Sequence, residues 1–431
     1  MRPANLSQFI CGEVYFAGGK YPLNSALLAT GPIFGGTGFR TSHHFRASIE
    51  GGHAEACPSA SRQRVLKNIL ILTAGYGEGH NSAARGIRDG LRRIAPDAVH
   101  VELHDLFSET YGVVNDWARV LYMGMINRTP KVWGVIYRWL DRQTDFVGDF
   151  SVFFSLKNYL RRLLARLQPD VIVSVYPAYS HMLDEMFGRG GAPQYKRVVV
   201  VTDSISVNAI WYQCSADYFL LPNEVSADVL RFAGVPAEKV KPFGFPVSPV
   251  FAQPGEFRPP PSDEHGRRVL YIINAANSSA PELVRKLADL PEIQLTVTVG
   301  RNAGLKVSVD KIRRTVTQEF ETVAWSDELP RLLRANHLVI SKAGGATVQE
   351  AMSAACPIIV NHVIPGQEEG NARYIMETKS GTVALSPEAV ISAVRNAFAN
   401  DAAQWREWSA NISHLGKPTA SLDIANFLLS L

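Results

Sequence analysis

The stretch that decides the fold is LVISKAGGATVQEAMSAACPIIVNHVIPGQEEGNARY, residues 338–374. It contains two apolar runs, LVIS at residues 338–341 and PIIV at residues 357–360, and each is long enough for a buried strand. Gly344 and Gly345 end the first run, and Thr347 then opens a helical pattern. A second turn and a second helical pattern, at residues 365–374, follow the second run. The stretch therefore predicts two successive strand–turn–helix units.

Polar residues are concentrated on the two turns of this stretch. In a parallel α/β sheet, ligands bind at the carboxyl ends of the strands, where these turns lie. Glycines allow backbone N–H groups to approach phosphate oxygens, and a helix N-terminus favours an anion. The pattern suits a nucleotide diphosphate. Thr347 and Glu350 also have the spacing of a capping box, which is the structural alternative for this pair.

Size and composition are ordinary for a soluble globular protein. The 431 residues predict two or three domains, and 46% hydrophobic with 19% charged residues is ordinary for such a chain. A net charge of +4 gives no argument for nucleic acid. No run of about 18 uncharged apolar residues is present, so no membrane-spanning helix is predicted.

The four cysteines are scattered, at positions 11, 57, 214 and 356, without a CxxC pair. This spacing argues against a zinc site and against a disulfide framework, and it fits a reducing cytosol. Cys356 stands in an apolar run and is predicted to be a packed thiol.

Residues 1–64 differ from the rest of the chain. They are rich in Gly, Ser and Ala, with six Lys or Arg against three acids and no sustained period. We interpret them as a disordered N-terminal extension. A transit peptide is the alternative, because such segments are rich in Ser and Arg and poor in acids.

From residue 65 onward, apolar runs alternate with helical patterns in two series. The first series occupies residues 65–251, and the second occupies residues 269–431 and ends in helical patterns. Residues 252–268, which contain four prolines, form the predicted linker. The alternation predicts an α/β fold with two Rossmann-like, doubly wound domains that face each other across a cleft.

The turn GYGEGH, residues 75–80, ends the first strand and opens a helix. Its glycines, including Gly79, leave room for a ligand, and His80 stands at the helix N-terminus. That position lowers an imidazole pKa and favours the neutral form that a general base needs. A Gly-rich turn with a capping histidine is the alternative. Asp203 stands two positions after the run RVVVV, at the end of a predicted strand, and is predicted either to orient His80 or an acceptor hydroxyl, or to cap the next turn.

Residues 117–166 hold nine Lys or Arg against three acids, with ten interleaved aromatic residues. Helices with basic and aromatic faces suit an anionic membrane surface, and they can present a groove to a lipid. The alternative is an aromatic core with a solvated basic face. Because the excess charge is confined to this segment, nucleic acid is not predicted as a partner.

Several of these segments together resemble one family. ILTAGYGEGHNSAA, VVVVTDSISVNAIWYQCSADYFLLPNE, TVGRNAGLK and SKAGGATVQEAM…PIIV…PGQEEGN are similar, in this order, to segments of monogalactosyldiacylglycerol synthases and processive diacylglycerol glucosyltransferases. The last segment also resembles the donor region of the murein-type transferases of glycosyltransferase family 28. The resemblance implies a GT-B fold, an inverting mechanism, a UDP-sugar donor and no obligatory metal.

The resemblance also implies roles for individual residues. His80 matches the base or acceptor-orienting histidine, Glu350 the glutamate that holds the ribose, and Gln367 and Glu368 the residues that read the hexose, with Asn371 nearby. The remaining donor-side residues are Gly344, Gly345, Ala346, Thr347, Arg301, Asn277 and Ser278. The last two belong to the loop NAANSSA, which is Gly-rich in the family. Asn208 stands near Trp211 where a histidine is common.

We therefore expect an inverting glycosyltransferase that moves galactose or glucose from a UDP-sugar to a lipid hydroxyl, with diacylglycerol as the foremost candidate. The expected location is cytoplasmic and peripheral, on the inner face of the cell membrane, or a plastid if residues 1–64 are a transit peptide. Two alternatives stay open. One is an isomerase like UDP-N-acetylglucosamine 2-epimerase, and the other is an inactive relative that binds nucleotide or lipid.

Overall fold

The structure is a computed structural model. It describes residues 66–75, 77–115, 117, 153–189, 194–205, 207–254, 258–273, 279–365 and 368–431. These residues belong to the compact unit formed by residues 63–431. The predicted N-terminal extension, residues 1–64, and residues 118–152 of the basic aromatic segment lie outside the described residues.

The N-terminal half contains one six-stranded sheet in the order β2-β1-β3-β4-β5-β6, and every neighbouring pair is parallel. The order reverses between β1 and β3, so the topological switch point lies between these two strands. The strands are β1 Lys67–Thr73, β2 Val99–Asp105, β3 Val171–Ser174, β4 Lys196–Val200, β5 Tyr218–Leu220 and β6 Val240–Lys241.

The C-terminal half contains a second six-stranded parallel sheet, in the order β12-β11-β10-β7-β8-β9. Its switch point lies between β7 and β10. The strands are β7 Arg268–Ile272, β8 Gln294–Gly300, β9 Glu321–Ala324, β10 Leu338–Lys342, β11 Ile358–His362 and β12 Gly381–Val383. Two doubly wound parallel sheets confirm the predicted α/β class.

Helices connect the strands within the described residues. They are α1 Glu78–Ile94, α2 Leu106–Tyr111, α3 Phe154–Leu167, α4 Pro177–Phe187, α5 Glu224–Phe232, α6 Ala280–Ala288, α7 Ala303–Arg313, α8 Leu329–Ala335, α9 Gly345–Ser353, α10 Glu369–Glu377, α11 Pro387–Ser413 and α12 Ala420–Ser430. Helix α11 is kinked at residues 399–402. Within the described residues, no helix has both the length and the apolar character needed to cross a membrane.

The last helix, α12, follows the second sheet in sequence but does not pack on that sheet alone. It packs on α1 in the N-terminal half, where Ile424, Ala425 and Leu428 share a buried cluster with Ile87 and Leu91. The approach is close, because a Cβ at Gly90 would lie 2.5 Å from the Ser421 carbonyl oxygen. The sequence placed this helix with residues 269–431, and the structure shows that its apolar face covers the other half.

The predicted linker, residues 252–268, is fixed to the C-terminal half by Arg258. The buried guanidinium donates hydrogen bonds to the carbonyl oxygens of Arg334, at 3.1 Å, and of Ala355. Burial lowers the pKa of Arg258. Backbone carbonyl oxygens thus compensate for the desolvation of this charge. The predicted packing of Cys356 is confirmed, since its side chain is fully buried.

Candidate active site

His80 lies at the switch point of the first sheet, which is where a doubly wound sheet binds its ligand. Helix α1 follows β1 and begins at Glu78, so His80 is in its first turn as predicted. Val175 directly follows β3, and Thr202 follows β4. The ring of His80 contacts both, because these strand ends lie side by side at the same edge of the sheet.

The hydrogen bonds of His80 fix its tautomer. Nδ1 lies 2.9 Å from the carbonyl oxygen of Val175, which can only accept, so Nδ1 carries the proton. The hydroxyl oxygen of Thr202, 3.0 Å from the same nitrogen, is a second acceptor. Nε2 then carries the lone pair. Burial lowers the pKa of His80 to about 4, against the opposing effect of the Val175 carbonyl, so the imidazole is neutral near pH 7.

Aromatic side chains surround this imidazole. Tyr176 meets it edge-on, with ring centroids 5.2 Å apart, and Trp211 lies at 6.0 Å. Asp203 contacts one of these two aromatic side chains. Its carboxylate accepts a 2.8 Å hydrogen bond from Trp211 Nε1, and so positions the ring that packs on the histidine. The Val175 carbonyl oxygen and the Thr202 hydroxyl oxygen orient the imidazole, and no sequence pattern pointed to either residue.

In the second sheet, the glycine turn after β10 is the N-terminus of α9. The helix begins at Gly345, with Gly344 as the N-cap, and no side chain of the described residues caps it. The capping-box interpretation of Thr347 and Glu350 is therefore wrong, because Thr347 is already inside the helix. A helix start without a side-chain cap leaves its first N–H groups for another acceptor, and an anion is the preferred one.

The two sheet edges meet at this helix. A Cβ at Gly345 would lie 3.3 Å from the Thr202 carbonyl oxygen, so the glycine allows α9 to approach the end of β4. The Ser82 hydroxyl of α1 donates to Glu350 Oε1 at 3.1 Å. Gln349 donates to the Ser204 hydroxyl at 3.4 Å. His80, Glu350 and the N-terminus of α9 are thus brought to one place.

Glu350 is in an environment that opposes its charge. Burial raises the pKa of its carboxyl group to about 7, although the Ser82 hydrogen bond and the nearby charge of Arg85 lower it. The carboxyl group therefore titrates near neutral pH.

Lys342, at the end of β10, is a residue that sequence reasoning missed. Its ammonium group forms an ion pair with Glu368, whose side chain is only 4% exposed. A Cβ at Gly344 would lie 3.4 Å from Lys342 Nζ, so the cation is beside the turn that opens α9. Its position two residues before Gly344 was the feature of the sequence that could have identified it as a site residue. Glu368, predicted to read a hexose, also accepts a 3.0 Å hydrogen bond from the Ile364 N–H.

The other predicted site residues are distributed over several elements. Asn371 is buried and donates to the Ala343 carbonyl at 3.0 Å, which holds the glycine turn against α10. Arg301 is exposed after β8, and its guanidinium stacks 4.1 Å from the Trp325 ring centroid.

Ala346 and Thr347 are in the first turn of α9. At Gly79, a Cβ would meet no described atom within 4 Å, which agrees with the predicted space. Asn277, Ser278 and Gln367 lie outside the described residues.

Among the described residues, no three His, Cys, Asp or Glu side chains are grouped so that they could hold a metal ion. At this edge of the second sheet, the ammonium group of Lys342 and the N-terminus of α9 stand beside the glycine turn, where they offer positive charge to an anion.

Comparison with known proteins agrees with this geometry. Residues 80–247 match the family model of monogalactosyldiacylglycerol (MGDG) synthase, and residues 268–418 match that of the glycosyltransferase family 28 C-terminal domain. The two matches adjoin each other across the connection at residues 248–267. They include His80 and the α9 turn, respectively.

Two relatives align with most of the chain. A protein of Oryza sativa subsp. japonica described as "Probable monogalactosyldiacylglycerol synthase 2, chloroplastic" is 27% identical over 439 residues, which cover 96% of this chain and 91% of the relative. A processive diacylglycerol beta-glucosyltransferase of Bacillus cereus (strain AH820) is 25% identical over 381 residues, which cover 85% of this chain and 95% of the relative.

Solved structures support the fold. MurG of Acinetobacter baumannii has a TM-score of 0.54 at 13% identity, over 85% of this chain and 100% of that one. The UDP-GlcNAc 2-epimerase of Neisseria meningitidis, solved with UDP-GlcNAc, has a TM-score of 0.52 at 13% identity, over the same shares. The predicted GT-B arrangement of two Rossmann-like sheets is confirmed.

Each half of the molecule thus matches a glycosyltransferase domain. The chain combines a monogalactosyldiacylglycerol synthase domain, residues 80–247, with a glycosyltransferase family 28 C-terminal domain, residues 268–418.

Proposed function

We propose that this glycosyltransferase moves a hexose, galactose or glucose, from a UDP-sugar to a lipid hydroxyl, with diacylglycerol as the acceptor. The observation that carries the proposal is the position of a neutral His80, with its lone pair on Nε2, opposite the helix start at Gly345. The names of the relatives support a diacylglycerol acceptor. The transferase, the epimerase and the inactive relative differ in what they require of His80 and of this helix start.

The donor would bind at the edge of the second sheet. The first N–H groups of α9 would hold the diphosphate, and the carboxylate of Glu350 would accept hydrogen bonds from the ribose hydroxyls. Lys342 is close enough to the glycine turn to turn from Glu368 toward a phosphate oxygen. Negative charge grows on the diphosphate as the sugar leaves, and preorganised donors of this kind stabilise it.

The acceptor would enter from the first sheet. Its hydroxyl oxygen attacks the anomeric carbon from the face opposite the UDP group, so the bond to the new oxygen forms as the bond to the diphosphate breaks. His80 Nε2 takes the hydroxyl proton. Without a diphosphate beside it the histidine is a weak base, because burial lowers its pKa to about 4. The negative charge of a bound diphosphate would raise that pKa, which makes proton transfer efficient only when the donor is present.

We expect no obligatory metal and no further cofactor. The ammonium group of Lys342 and the N-terminus of α9 would neutralise the charge that a divalent cation neutralises in other transferases. Full activity in the presence of a chelator is the expected result. A chelator-sensitive activity that Mg²⁺ or Mn²⁺ restores would contradict it.

We also propose a peripheral location on an anionic membrane surface, on the inner face of the cell membrane. The described ends of the basic aromatic segment support this. Trp117 is 72% exposed and Phe154 is 68% exposed, next to exposed Val113 and Val114 at the end of α2. Helix α3 buries its leucines and exposes the basic residues Arg161, Arg162 and Arg166. Apolar side chains beside basic ones suit a lipid headgroup layer.

Vesicle flotation tests the membrane proposal. Vesicles that contain an anionic lipid should carry the protein upward, and vesicles of phosphatidylcholine should carry less. Replacement of both Trp117 and Phe154 by serine should reduce flotation, whereas Phe232→Ser, at an exposed site 90% accessible on α5, should not. Equal flotation of the two variants would contradict this docking surface.

The activity is tested with purified protein, a total lipid extract and radiolabelled UDP-glucose, UDP-galactose or UDP-GlcNAc, read by thin-layer chromatography. A labelled glycolipid formed from one of the first two donors is the expected product. UDP-ManNAc formed without lipid would instead show the epimerase alternative. Retained UDP binding without transfer or hydrolysis of any donor would show the inactive relative.

A further inference from the structure

The segment that follows β4, residues 202–205, touches both halves of the molecule. At its beginning, the Thr202 hydroxyl lies 3.0 Å from Nδ1 of His80. At its end, the backbone of Ile205 has a φ angle of +70°, in the left-handed region. A β-branched residue is rarely found there, because its side chain crowds the backbone. Such a conformation persists only where the surrounding structure holds it in place.

Helix α5, of the first half, holds this segment on one side. The Ile205 N–H donates to the Ser226 hydroxyl at 2.9 Å. The side-chain amide of Asn223 donates to the Ser204 hydroxyl, also at 2.9 Å. Asn223 is the N-cap of α5, where its Oδ1 accepts from the Ser226 N–H at 2.8 Å. The strained residue is therefore tied to a helix start that has hydrogen bonds of its own.

Helix α9, of the second half, holds the segment on the other side. Gly345 and Gln349 stand four residues apart on this helix, so both face the same neighbour. The Thr202 carbonyl oxygen lies against Gly345, and the Ser204 hydroxyl accepts from Gln349 Nε2 at 3.4 Å. Ser204 and Gln349 are each only 6% exposed, so water does not readily replace this hydrogen bond. The conformation of the segment thus depends on the contact between the two halves.

We propose that Gln349 is a positioning residue for His80. Its hydrogen bond to Ser204 keeps the segment in its strained conformation, and this conformation holds the Thr202 hydroxyl against Nδ1 of the histidine. This role of Gln349 rests on the proposed function, in which His80 is the base. Without the hydrogen bond, the segment relaxes at Ile205 and the imidazole loses one of its two acceptors. Nε2 is then aimed less well at the acceptor hydroxyl, which slows the reaction.

Gln349→Met tests the role, because methionine keeps most of the volume of the side chain and removes the amide. The substitution should lower kcat for sugar transfer about tenfold, the effect of one lost hydrogen bond. It should leave the affinity for UDP, measured by calorimetry, unchanged. Gln318→Met is the matched control. Gln318 is a half-buried glutamine near the beginning of β8, where its amide donates to the Ile293 carbonyl oxygen, and its loss should not change kcat.

The same substitution in His80→Ala separates positioning from a general weakening of the site. If Gln349 acts through the histidine, the residual turnover of His80→Ala should not fall further when Gln349→Met is added. Ser204→Ala should lower kcat as Gln349→Met does, and it decides the question if Gln349→Met does not fold. Wild-type kcat in Gln349→Met and Ser204→Ala, or an equal loss with and without His80, would overturn the proposal.

Hydrogen–deuterium exchange gives a readout that needs no sugar transfer. In Gln349→Met, the backbone N–H groups of residues 202–205 should exchange about tenfold faster than in the wild type, because the segment has lost a hydrogen bond. In Gln318→Met they should exchange at the wild-type rate. If the wild type transfers no sugar, the proposed function fails, and the exchange rates still show whether Gln349 holds the segment. Unchanged exchange in Gln349→Met would show that it does not.

Discussion

The Ser82 hydroxyl donates a 3.1 Å hydrogen bond to the Glu350 carboxylate, and this bond joins helix α1 of the first sheet to helix α9 of the second. It connects the element that carries His80 with the element that opens at the glycine turn. A ribose hydroxyl that bound Glu350 would have to share the carboxylate with Ser82 or replace it. Occupation of the donor site is thus coupled to the contact between the two halves.

The first prediction concerns the stability of Glu350→Gln. The folded protein holds the Glu350 proton more tightly than the unfolded chain does, because the pKa rises from 4.5 to about 7. The contribution of this group to stability is therefore fully present below about pH 4.5 and is lost as the pH rises through about 7. The glutamine variant should lack this loss. Urea unfolding at several pH values should show that it gains on the wild type as the pH rises.

The same substitution should weaken UDP binding if the carboxylate accepts from the ribose, and calorimetry at pH 8 measures this. Ser82→Ala is the control, because it removes the hydrogen bond that lowers the pKa of Glu350 but keeps the carboxylate. Unchanged UDP affinity in Glu350→Gln would remove Glu350 from the donor site.

The second prediction concerns His80→Ala. Loss of the general base should reduce turnover by about 10²- to 10⁴-fold and leave the affinity for UDP nearly unchanged. Radiolabel transfer and calorimetry measure the two quantities. Asp203→Asn, which keeps a hydrogen-bond acceptor for Trp211, should have a much smaller effect on turnover. Turnover that survives in His80→Ala would show that the base is another group.

The pH profile of the wild type gives a third prediction. A histidine whose pKa is lowered to about 4 keeps its lone pair down to that pH. On the acid side, kcat/KM reports the free enzyme, so it should show no loss with an apparent pKa near 6.5 that is attributable to His80. A group that titrates near 6.5 and is absent from the profile of His80→Gln would contradict the buried, neutral state.

The fourth prediction separates the two roles of Lys342. Lys342→Met leaves the carboxylate of Glu368 buried without its cation, and should cost about 2 kcal/mol, less than the roughly 3–5 of a fully buried pair, since Lys342 is partly exposed. The double variant with Glu368→Gln should recover most of that stability. It should not recover transfer, if Lys342 neutralises the diphosphate. Recovery of both would make the pair purely structural.

The fifth prediction tests the packing of α1. Alanine is the better helix former, yet Gly86→Ala should destabilise, because its Cβ would lie 1.9 Å from the Pro246 carbonyl oxygen. Gly304→Ala, in α7, is the matched control. Its Cβ would lie 3.5 Å from Asn302 Oδ1, an ordinary contact, so the change should stabilise by up to about 1 kcal/mol. Denaturant unfolding measures both, and equal shifts would contradict the close approach.

Much of the fold could be predicted because the chain separates its elements clearly. The runs at residues 338–341 and 357–360 became β10 and β11, and the Gly-rich turns at residues 75–80 and 344–345 lie at strand ends. His80 could be selected for the same reason. The strands, the turns and the place of His80 are local features, because they depend only on the length of an apolar run and on the position of a glycine.

The partners of the site residues could not be predicted, because they come from distant parts of the chain. The pairing of Lys342 with Glu368 needs β10 and α10 to be neighbours, and the contact of Thr202 with His80 needs the end of β4 beside α1. The beginning of α9 was misplaced because Thr-x-x-Glu is a valid capping pattern by itself. Gly344 is the N-cap instead, and because it has no side chain it cannot cap the helix itself.

The return of α12 to α1 makes the covalent order of the chain differ from its order in space. A cut at residues 255–257 would divide the chain between the two sheets. The first fragment would then lack α12, the helix that covers Ile87 and Leu91. The fragment of residues 66–254 would expose an apolar stripe, and the fragment from residue 258 would carry an unmatched one on α12. Each fragment, made separately, would have an exposed apolar surface, and the two surfaces are complementary. The fragments should therefore associate when they are mixed. Circular permutation that connects α12 directly to β1, where Lys67 Nζ already lies 3.0 Å from the Leu429 carbonyl oxygen, follows the spatial order instead.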